Sequence, residues 1–148
     1  DNQSSGGMDK CLDAGAPRAV FMDEFKGKGV SYQKLLVMMN EYPKMQTHAR
    51  FENTYNLWDI FVITTIFAPE ELYLIMVGET ERRVDTYEQL RRRLKKIVYH
   101  FKNENGEYMT YTMKGNEYVD REDIIARIKG NIDPDRFRKI ETHPFEIQ

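Results

Sequence analysis

The chain has 148 residues, of which 41% are hydrophobic and 31% charged, and a formal net charge of −2, a composition typical of one folded domain. It excludes wholesale disorder and low-complexity classes. Cys11 is the single cysteine, so with three scattered histidines the sequence excludes disulfide scaffolds and zinc clusters. No apolar run approaches the ~18 residues that a membrane span requires, so we expect no membrane insertion and a cytosolic protein.

Charge is unevenly distributed along the chain. Residues 1–24 carry five acids against two bases, whereas residues 81–102 carry eight lysines and arginines against three acids. A basic stretch of this kind can contact phosphate, either on a nucleotide or along a nucleic-acid backbone. A solvated helix face is the alternative interpretation of the same pattern.

The first third of the chain predicts a tail, a strand and a helix. Residues 1–18 are polar and are expected to lack regular structure. The apolar run over 19–22 predicts a short buried strand that ends at two acids. Ser31 is expected to cap a helix that stops before Pro43. The apolar positions of this helix recur at helical spacing: Tyr32, Leu35, Leu36 and Met39.

The middle of the chain predicts a loop, a strand and a second helix. Residues 44–57 show no clear period and indicate a hairpin or an exposed loop. Residues 58–65 are β-branched and nearly continuous, which predicts a central strand covered on both faces. Thr86 and Gln89 have the spacing of a capping box, and the helix that follows is expected to place Leu90 and Leu94 inward.

The last third predicts a hairpin, a helix and an irregular tail. Two alternating runs, residues 97–101 and 107–112, flank Asn103-Glu104-Asn105-Gly106, a strong hairpin signal. Asp120 is expected to begin the last helix, and Gly130 to end it. The order of elements predicts an α/β fold, with a parallel sheet and flanking helices followed by a C-terminal hairpin and helix.

Three groups of residues suggest phosphate chemistry. Asp23 and Glu24 follow the first strand, where one carboxylate can bind Mg²⁺ and the other can orient or deprotonate a water. Thr64 and Thr65 end the central strand, where a hydroxyl can contact a γ-phosphate. The arginines at 91–93 can stabilise phosphate charge from a neighbouring subunit. Each group also has an ordinary structural explanation: a strand leaving the core, β-propensity, or surface ion pairs.

The ordered combination of these groups resembles the carboxyl-terminal ATPase of replication initiator (Rep) proteins of circoviruses and small rolling-circle plasmids of Gram-positive bacteria, a superfamily 3 helicase domain. The resemblance covers roughly residues 19–101. The segments that carry it, in order, are Asp23-Glu24, Tyr42-Pro43, His48-Ala49-Arg50-Phe51, Ile63-Thr64-Thr65, Pro69-Glu70-Glu71-Leu72-Tyr73 and Leu90-Arg91-Arg92-Arg93-Leu94.

The resemblance implies an AAA+-like P-loop NTPase fold that uses ATP and Mg²⁺. It implies a Walker B pair, Asp23 towards the metal and Glu24 towards the catalytic water. Thr64 and Thr65 would form the sensor motif, in which many members of the family have asparagine where this chain has Ile66. Arg92 or Arg93 would be the arginine finger supplied to the next subunit of a ring.

The resemblance also implies a DNA-binding segment and a set of partners. Single-stranded DNA or replication-origin DNA would be gripped by a basic and aromatic segment, whose candidate residues are Lys44, His48, Arg50, Phe51 and Tyr55. The protein would work in the bacterial cytoplasm, or in the host nucleus if it is viral. On this basis we divide the chain into a polar segment at 1–18, an ATPase core at 19–101 and a completing hairpin, helix and tail at 102–148.

One expected motif of this family does not occur in the printed sequence. It contains no Gly-x-x-x-x-Gly-Lys-Ser/Thr phosphate loop, and Gly27-Lys28-Gly29 has the wrong spacing and position. Without the phosphate-loop strand, residues 60–65 would form a hydrophobic sheet edge, so we expect the chain to be a fragment or to have this edge covered by another chain. The alternative functions are a non-enzymatic module that binds single-stranded nucleic acid or oligomerises, and a small domain with an unrelated role.

Overall fold

The computed structural model of the protein describes residues 19–40 and 60–141. The chain divides into two compact units, with the boundary between Arg93 and Leu94. The predictions for residues 1–18 and for the loop at 44–57 lie outside the described residues. No helix in the two described ranges is long and apolar enough to cross a bilayer.

In residues 19–40 and 60–93, the first unit contains two parallel strands and three helices. The strands are β1 (Ala19–Met22) and β2 (Ile60–Ile63), and they pair in the register Ala19↔Ile60 to Met22↔Ile63. The helices are α1 (Tyr32–Met38), α2 (Pro69–Met76) and α3 (Tyr87–Arg91), with a 3₁₀ turn at Glu79–Glu81 between the last two. The parallel pairing of the two predicted strands is therefore confirmed.

The core of the first unit draws on every one of these helices. Its fully or nearly buried members come from the end of β1, the loop after it, and the inward faces of the helices: Met22, Phe25, Tyr32, Leu35, Leu36, Leu72, Tyr73, Val77 and Leu90. Ser31 caps α1 as predicted, since its hydroxyl accepts a hydrogen bond from the Lys34 N–H at 3.1 Å. This helix is fixed by a local cap at one end and by burial of its apolar stripe.

Three local predictions for the first unit are corrected. Strand β2 is only half-buried and Ile60 is 54% exposed, so it is not covered on both faces by the described residues. The Thr86 hydroxyl makes no capping bond to α3, which ends at Arg91 and therefore excludes Leu94. No helix was predicted for Pro69–Met76, although Pro69 occupies the first turn of the observed helix and Glu71 accepts from the Ala68 N–H at 2.8 Å.

Up to residue 141, where the described part ends, the second unit is a three-stranded antiparallel sheet with one α-helix. The strands β3 (Lys96–Lys102), β4 (Tyr108–Lys114) and β5 (Phe137–Lys139) lie in the order β3-β4-β5. A 3₁₀ turn at Gly115–Glu117 leads to α4 (Arg121–Lys129), and another at Pro134–Arg136 leads to β5. The predicted hairpin and last helix are confirmed. Strand β3, which the sequence analysis grouped with residues 19–101, belongs to this unit.

One face of this sheet and α4 enclose the second core. Tyr111, Met113, Tyr118 and Ile124 are at most 2% exposed, and the partly buried side chains that pack on them are Ile97, Tyr99, Phe101, Ile125, Ile128 and Phe137. Residues 134–139 are ordered, so the prediction of an irregular tail is wrong for this part. The Arg136 guanidinium holds this segment in place, because it pairs with Glu117 at 3.0 Å and donates to the Thr112 carbonyl at 3.2 Å.

Candidate active site

The carboxyl ends of β1 and β2 bring three of the predicted site residues together. The two strands are adjacent and parallel, so the residues that follow them, Asp23 and Thr64, emerge at the same edge. Backbone hydrogen bonds extend the pairing into this region, from the Thr64 N–H to the Met22 carbonyl at 3.1 Å and from the Phe25 N–H to the Thr64 carbonyl at 2.8 Å. Adjacent strand ends therefore fix the relative positions of the acids and the threonine.

The Thr64 hydroxyl links both acidic residues. It donates a hydrogen bond to Asp23 Oδ1 at 2.5 Å and accepts one from the Glu24 backbone N–H at 2.8 Å. A hydroxyl has one donor and two acceptor positions, so both bonds can form at once. Asp23, Glu24 and Thr64 are all exposed, which leaves the two carboxylates accessible to a ligand from solvent.

Glu24 has an unusual backbone conformation for a residue with a side chain. Its φ is 54°, in the left-handed region that favours glycine. This conformation costs a residue with a Cβ roughly 1–2 kcal/mol. Such strain often occurs at functional sites, where the surrounding structure keeps a side chain in a defined position. Here the bond from the Glu24 N–H to Thr64 is part of what holds that conformation.

The two predicted sensor threonines have different partners. Whereas Thr64 contacts the acids, the Thr65 hydroxyl accepts a hydrogen bond from the Phe67 N–H at 3.1 Å. Thr65 therefore stabilises the turn that leads into α2. Ile66, at the position where asparagine is common in the similar family, is 72% exposed. Only Thr64 of this group touches the carboxylate pair in the described part of the chain.

A cluster of tyrosines positions the segment before α3. The Tyr32 hydroxyl donates to the Thr86 carbonyl and the Tyr73 hydroxyl to the Asp85 carbonyl, both at 2.6 Å. The Tyr32 and Tyr73 rings meet edge to face, with centroids 5.5 Å apart, and the Gln33 amide donates to the Asp85 carboxylate. From the sequence, Tyr32 was predicted only as a member of an apolar stripe, because helical spacing indicates burial but not the hydrogen-bond partner of a hydroxyl.

We expect Tyr32→Phe to lower the free energy of unfolding by about 1 kcal/mol at neutral pH, because the Thr86 carbonyl loses its donor. Burial, and then the neighbouring Tyr73, raise the pKa of Tyr32 from 10.0 to about 12. As pH rises from 10 to 12, the unfolded chain releases this proton before the folded chain does, so this contribution to stability is complete below pH 10 and is lost towards pH 12. The difference between variant and parent should therefore shrink over that window in urea unfolding curves.

Tyr99→Phe is the matched control for this substitution. In the parent, the Tyr99 hydroxyl makes no hydrogen bond within residues 19–40 and 60–141, although the Tyr99 ring stacks on Phe101. Because no hydrogen bond of this hydroxyl is lost within those residues, we expect the variant to lower the free energy of unfolding at neutral pH by less than Tyr32→Phe does. An alkaline profile of Tyr32→Phe that runs parallel to that of the parent would contradict the role assigned to Tyr32.

The two predicted finger arginines follow the end of α3 and differ in their surroundings. Arg93 Nη1 donates to the Gln89 carbonyl of α3 at 2.6 Å, and burial, followed by the neighbouring Arg92, lowers the pKa of Arg93. Arg92 is exposed. In the described residues, neither arginine forms a hydrogen bond or an ion pair with Asp23 or Glu24. Of the two, Arg92 is the one that presents its charge to solvent.

The donor set at the acids suits a hard cation only in part. The described residues include no group of three or more His, Cys, Asp or Glu side chains that could hold a metal ion. Mg²⁺, however, is commonly held by one or two carboxylates, with substrate phosphates and waters as its other ligands. Asp23 and Glu24 supply such carboxylates. The predicted DNA-binding residues Lys44, His48, Arg50, Phe51 and Tyr55 lie outside the described residues.

Comparison with known proteins gives no relative for this chain. No family model, curated protein or solved structure matches it.

Proposed function

We propose that the chain is part of the ATPase/helicase domain of a replication initiator protein, which hydrolyses ATP to move on or unwind DNA during rolling-circle replication. The proposal includes a P-loop NTPase fold for the intact domain. The observation that carries it is the Asp23–Thr64–Glu24 group at the carboxyl ends of two adjacent parallel strands. Ligands of open α/β sheets bind at this edge.

Each residue of the group has a role in this proposal. Asp23 would hold Mg²⁺, and the ion would supply positive charge to the phosphates of ATP. Glu24, held by its strained backbone, would orient the attacking water and accept its proton. Thr64 would act as a positioning residue, because its hydroxyl fixes the Asp23 carboxylate and the Glu24 amide.

ATP hydrolysis would need two further parts in addition to Asp23, Glu24 and Thr64: a phosphate loop and an arginine from a neighbouring copy. A phosphate loop, which the printed sequence does not contain, would come from a polypeptide segment beyond these 148 residues, or from another chain. Its strand would pair beside β2, where Ile60 and, on the neighbouring strand, Phe21 are each 54% exposed. Arg92 would stabilise phosphate charge in the site of the neighbouring copy, which requires self-association into a ring.

The test uses the full-length polypeptide that contains these residues and measures ATP hydrolysis with and without single-stranded DNA. We expect DNA-stimulated hydrolysis that falls by about 10²-fold or more in Asp23→Asn and in Glu24→Gln, since each removes a group that acts on the reacting atoms. Retention of full activity in both variants would refute the assignment of the pair.

Glu79→Gln is the matched control, because it removes the same charge from an exposed position of the same unit. It should keep the parental rate. A non-enzymatic module is the alternative function, and the same protein preparations separate the two. Salt-sensitive binding of single-stranded DNA that is unaffected by nucleotide, with no hydrolysis in the parent, would favour the module.

A further inference from the structure

The sheet of the second unit has a core face and an open face, set by the alternation of side chains along each strand. On β3 the exposed positions are Lys96, Val98, His100 and Lys102, and the half-buried positions between them point to the core. The strand register continues the open face onto β4 and β5, since Lys96 pairs with Lys114, His100 with Thr110 and Thr110 with Arg138. The remaining members are Thr112, opposite Val98, and Tyr108, opposite Lys102. We call these nine residues the open face.

The open face is cationic and has no acidic member. Lys96, Lys102, Lys114 and Arg138 are exposed, and none of them forms an ion pair in the part of the chain that the structure describes. The acids that flank the strands are engaged elsewhere. Glu107 pairs with Lys139 at 2.8 Å, and Glu117 pairs with Arg136 at 3.0 Å. Four positive charges on one face of the sheet therefore lack a counter-charge within the described residues.

One end of the open face also offers an aromatic surface. The Lys102 ammonium lies 5.1 Å from the centre of the Tyr108 ring. A shallow hollow of about 240 Å³ adjoins this pair, and its lining includes His100, Met109 and Ile140. A hollow beside an aromatic ring and a cation can accept a planar group, such as a nucleic-acid base, that is attached to a negatively charged group such as a phosphate.

We propose that the open face binds single-stranded nucleic acid, with its lysines and Arg138 on the phosphates and a base against Tyr108. The surface is one half-exposed face of an antiparallel sheet, and sheets of this kind bind single strands by stacking bases on aromatic side chains beside basic residues. All nine residues belong to the second unit, whereas Asp23, Glu24 and Thr64 belong to the first. The inference therefore does not depend on the proposed hydrolysis of ATP.

Other polyanions are weaker candidates for the same surface. A duplex presents its phosphates across grooves that a helix or a two-stranded ribbon enters, whereas here the cations lie on one face of a three-stranded sheet. A sulfated polysaccharide would use the lysines but would gain nothing from the tyrosine ring. The Tyr108 ring beside Lys102 is the feature that favours a nucleic acid with unpaired bases.

The test measures binding of a labelled oligothymidylate of about 20 nucleotides to the full chain by fluorescence anisotropy at several salt concentrations. For single strands each phosphate contact adds about −0.7 to the slope of log affinity against log salt. We expect Lys96→Gln/Lys114→Gln to lower the affinity about tenfold and to reduce that slope by about 1.4. Tyr108→Leu should weaken binding of the oligonucleotide but not of heparin.

Two control variants test whether any loss of binding is specific to the open face. Lys129→Gln removes one charge from an exposed position of α4 and should change affinity less than Lys114→Gln, which removes the same charge from the open face. Asp23→Asn should leave binding unchanged, so failure of the nucleotide site and failure of this surface are distinguishable. Equal effects of Lys129→Gln and Lys114→Gln would overturn the proposal, as would stronger binding of the matched duplex or weaker heparin binding in Tyr108→Leu. Circular dichroism of each variant confirms that the chain is folded.

Discussion

Gly115→Ala is expected to lower the free energy of unfolding of the second unit by about 3 kcal/mol or more. A Cβ added at this position would lie 1.8 Å from the Leu94 carbonyl oxygen and 2.4 Å from the Leu94 carbonyl carbon. Both are backbone atoms, so no side-chain rotation can relieve the overlap. The Gly115 N–H also donates to the Lys95 carbonyl at 2.9 Å, which holds the two segments close together. Relief of the clash therefore requires the start of β3 to move.

Hydrogen exchange of the β3 and β4 amides measures this effect directly, since their protection reports the stability of the sheet. Gly130→Ala is the control, because Gly130 has a φ of −88° and its added Cβ would meet its nearest atom at an ordinary 3.4 Å. We expect that variant to stay within about 0.5 kcal/mol of the parent. Parental protection in Gly115→Ala would show that the chain after β4 can be displaced at low cost.

The parts of the fold that the sequence predicted well are those specified by neighbouring residues. The hairpin is an example, because Asn103 itself organises the turn. Its side-chain oxygen accepts from the Asn105 and Glu107 N–H groups, both at 2.9 Å, and Gly106 adopts the required φ of 81°. The last helix is another, since the Asp120 side chain caps it by accepting from the Asp123 N–H at 2.8 Å. Both signals lie within a few residues of their targets.

The elements that were predicted wrongly depend on contacts with residues that are distant in the sequence. Strand β5 has three residues, and the Arg136 contacts to Glu117 and the Thr112 carbonyl help to hold the turn before it. The start of α3 was predicted from a capping box, but the Thr86 hydroxyl does not cap it, and the Thr86 carbonyl is held by Tyr32, 54 positions earlier. Local spacing contains no information about such contacts.

The candidate site falls between these cases. Two acids after a strand were recognised from the sequence, and the predicted parallel sheet is confirmed by the pairing of β1 with β2, which brings these acids beside Thr64. The specific part played by Thr64 was not predicted, since a threonine at a strand end indicates β-propensity as much as function. The open face was missed for a related reason. Its cations belong to three strands, and only the register brings Arg138 beside Thr110.

Thr64→Val is expected to lower DNA-stimulated hydrolysis by about 10- to 100-fold, the usual effect of removing a group that orients a metal-binding carboxylate. Valine has nearly the shape of threonine but lacks the hydroxyl, so Asp23 loses its donor and the Glu24 N–H loses its acceptor. The Mg²⁺ concentration for half-maximal rate should rise, because the Asp23 carboxylate is no longer held. The Glu24 amide should also exchange faster with solvent, a readout that does not depend on hydrolysis.

Thr64→Ser is the matched variant, since it restores the hydroxyl and removes only the methyl group. We expect it to recover most of the hydrolysis rate, the parental Mg²⁺ requirement and the slow exchange of the Glu24 amide. If serine behaves like valine in all three measurements, the hydroxyl is not what Thr64 contributes, and its effect comes from the shape of the side chain. If only the Glu24 amide responds, Thr64 stabilises this strand end and the proposed Mg²⁺ site is wrong. The paired variants therefore separate the geometry, in which the Thr64 hydroxyl joins two strand ends, from the chemistry proposed for those acids.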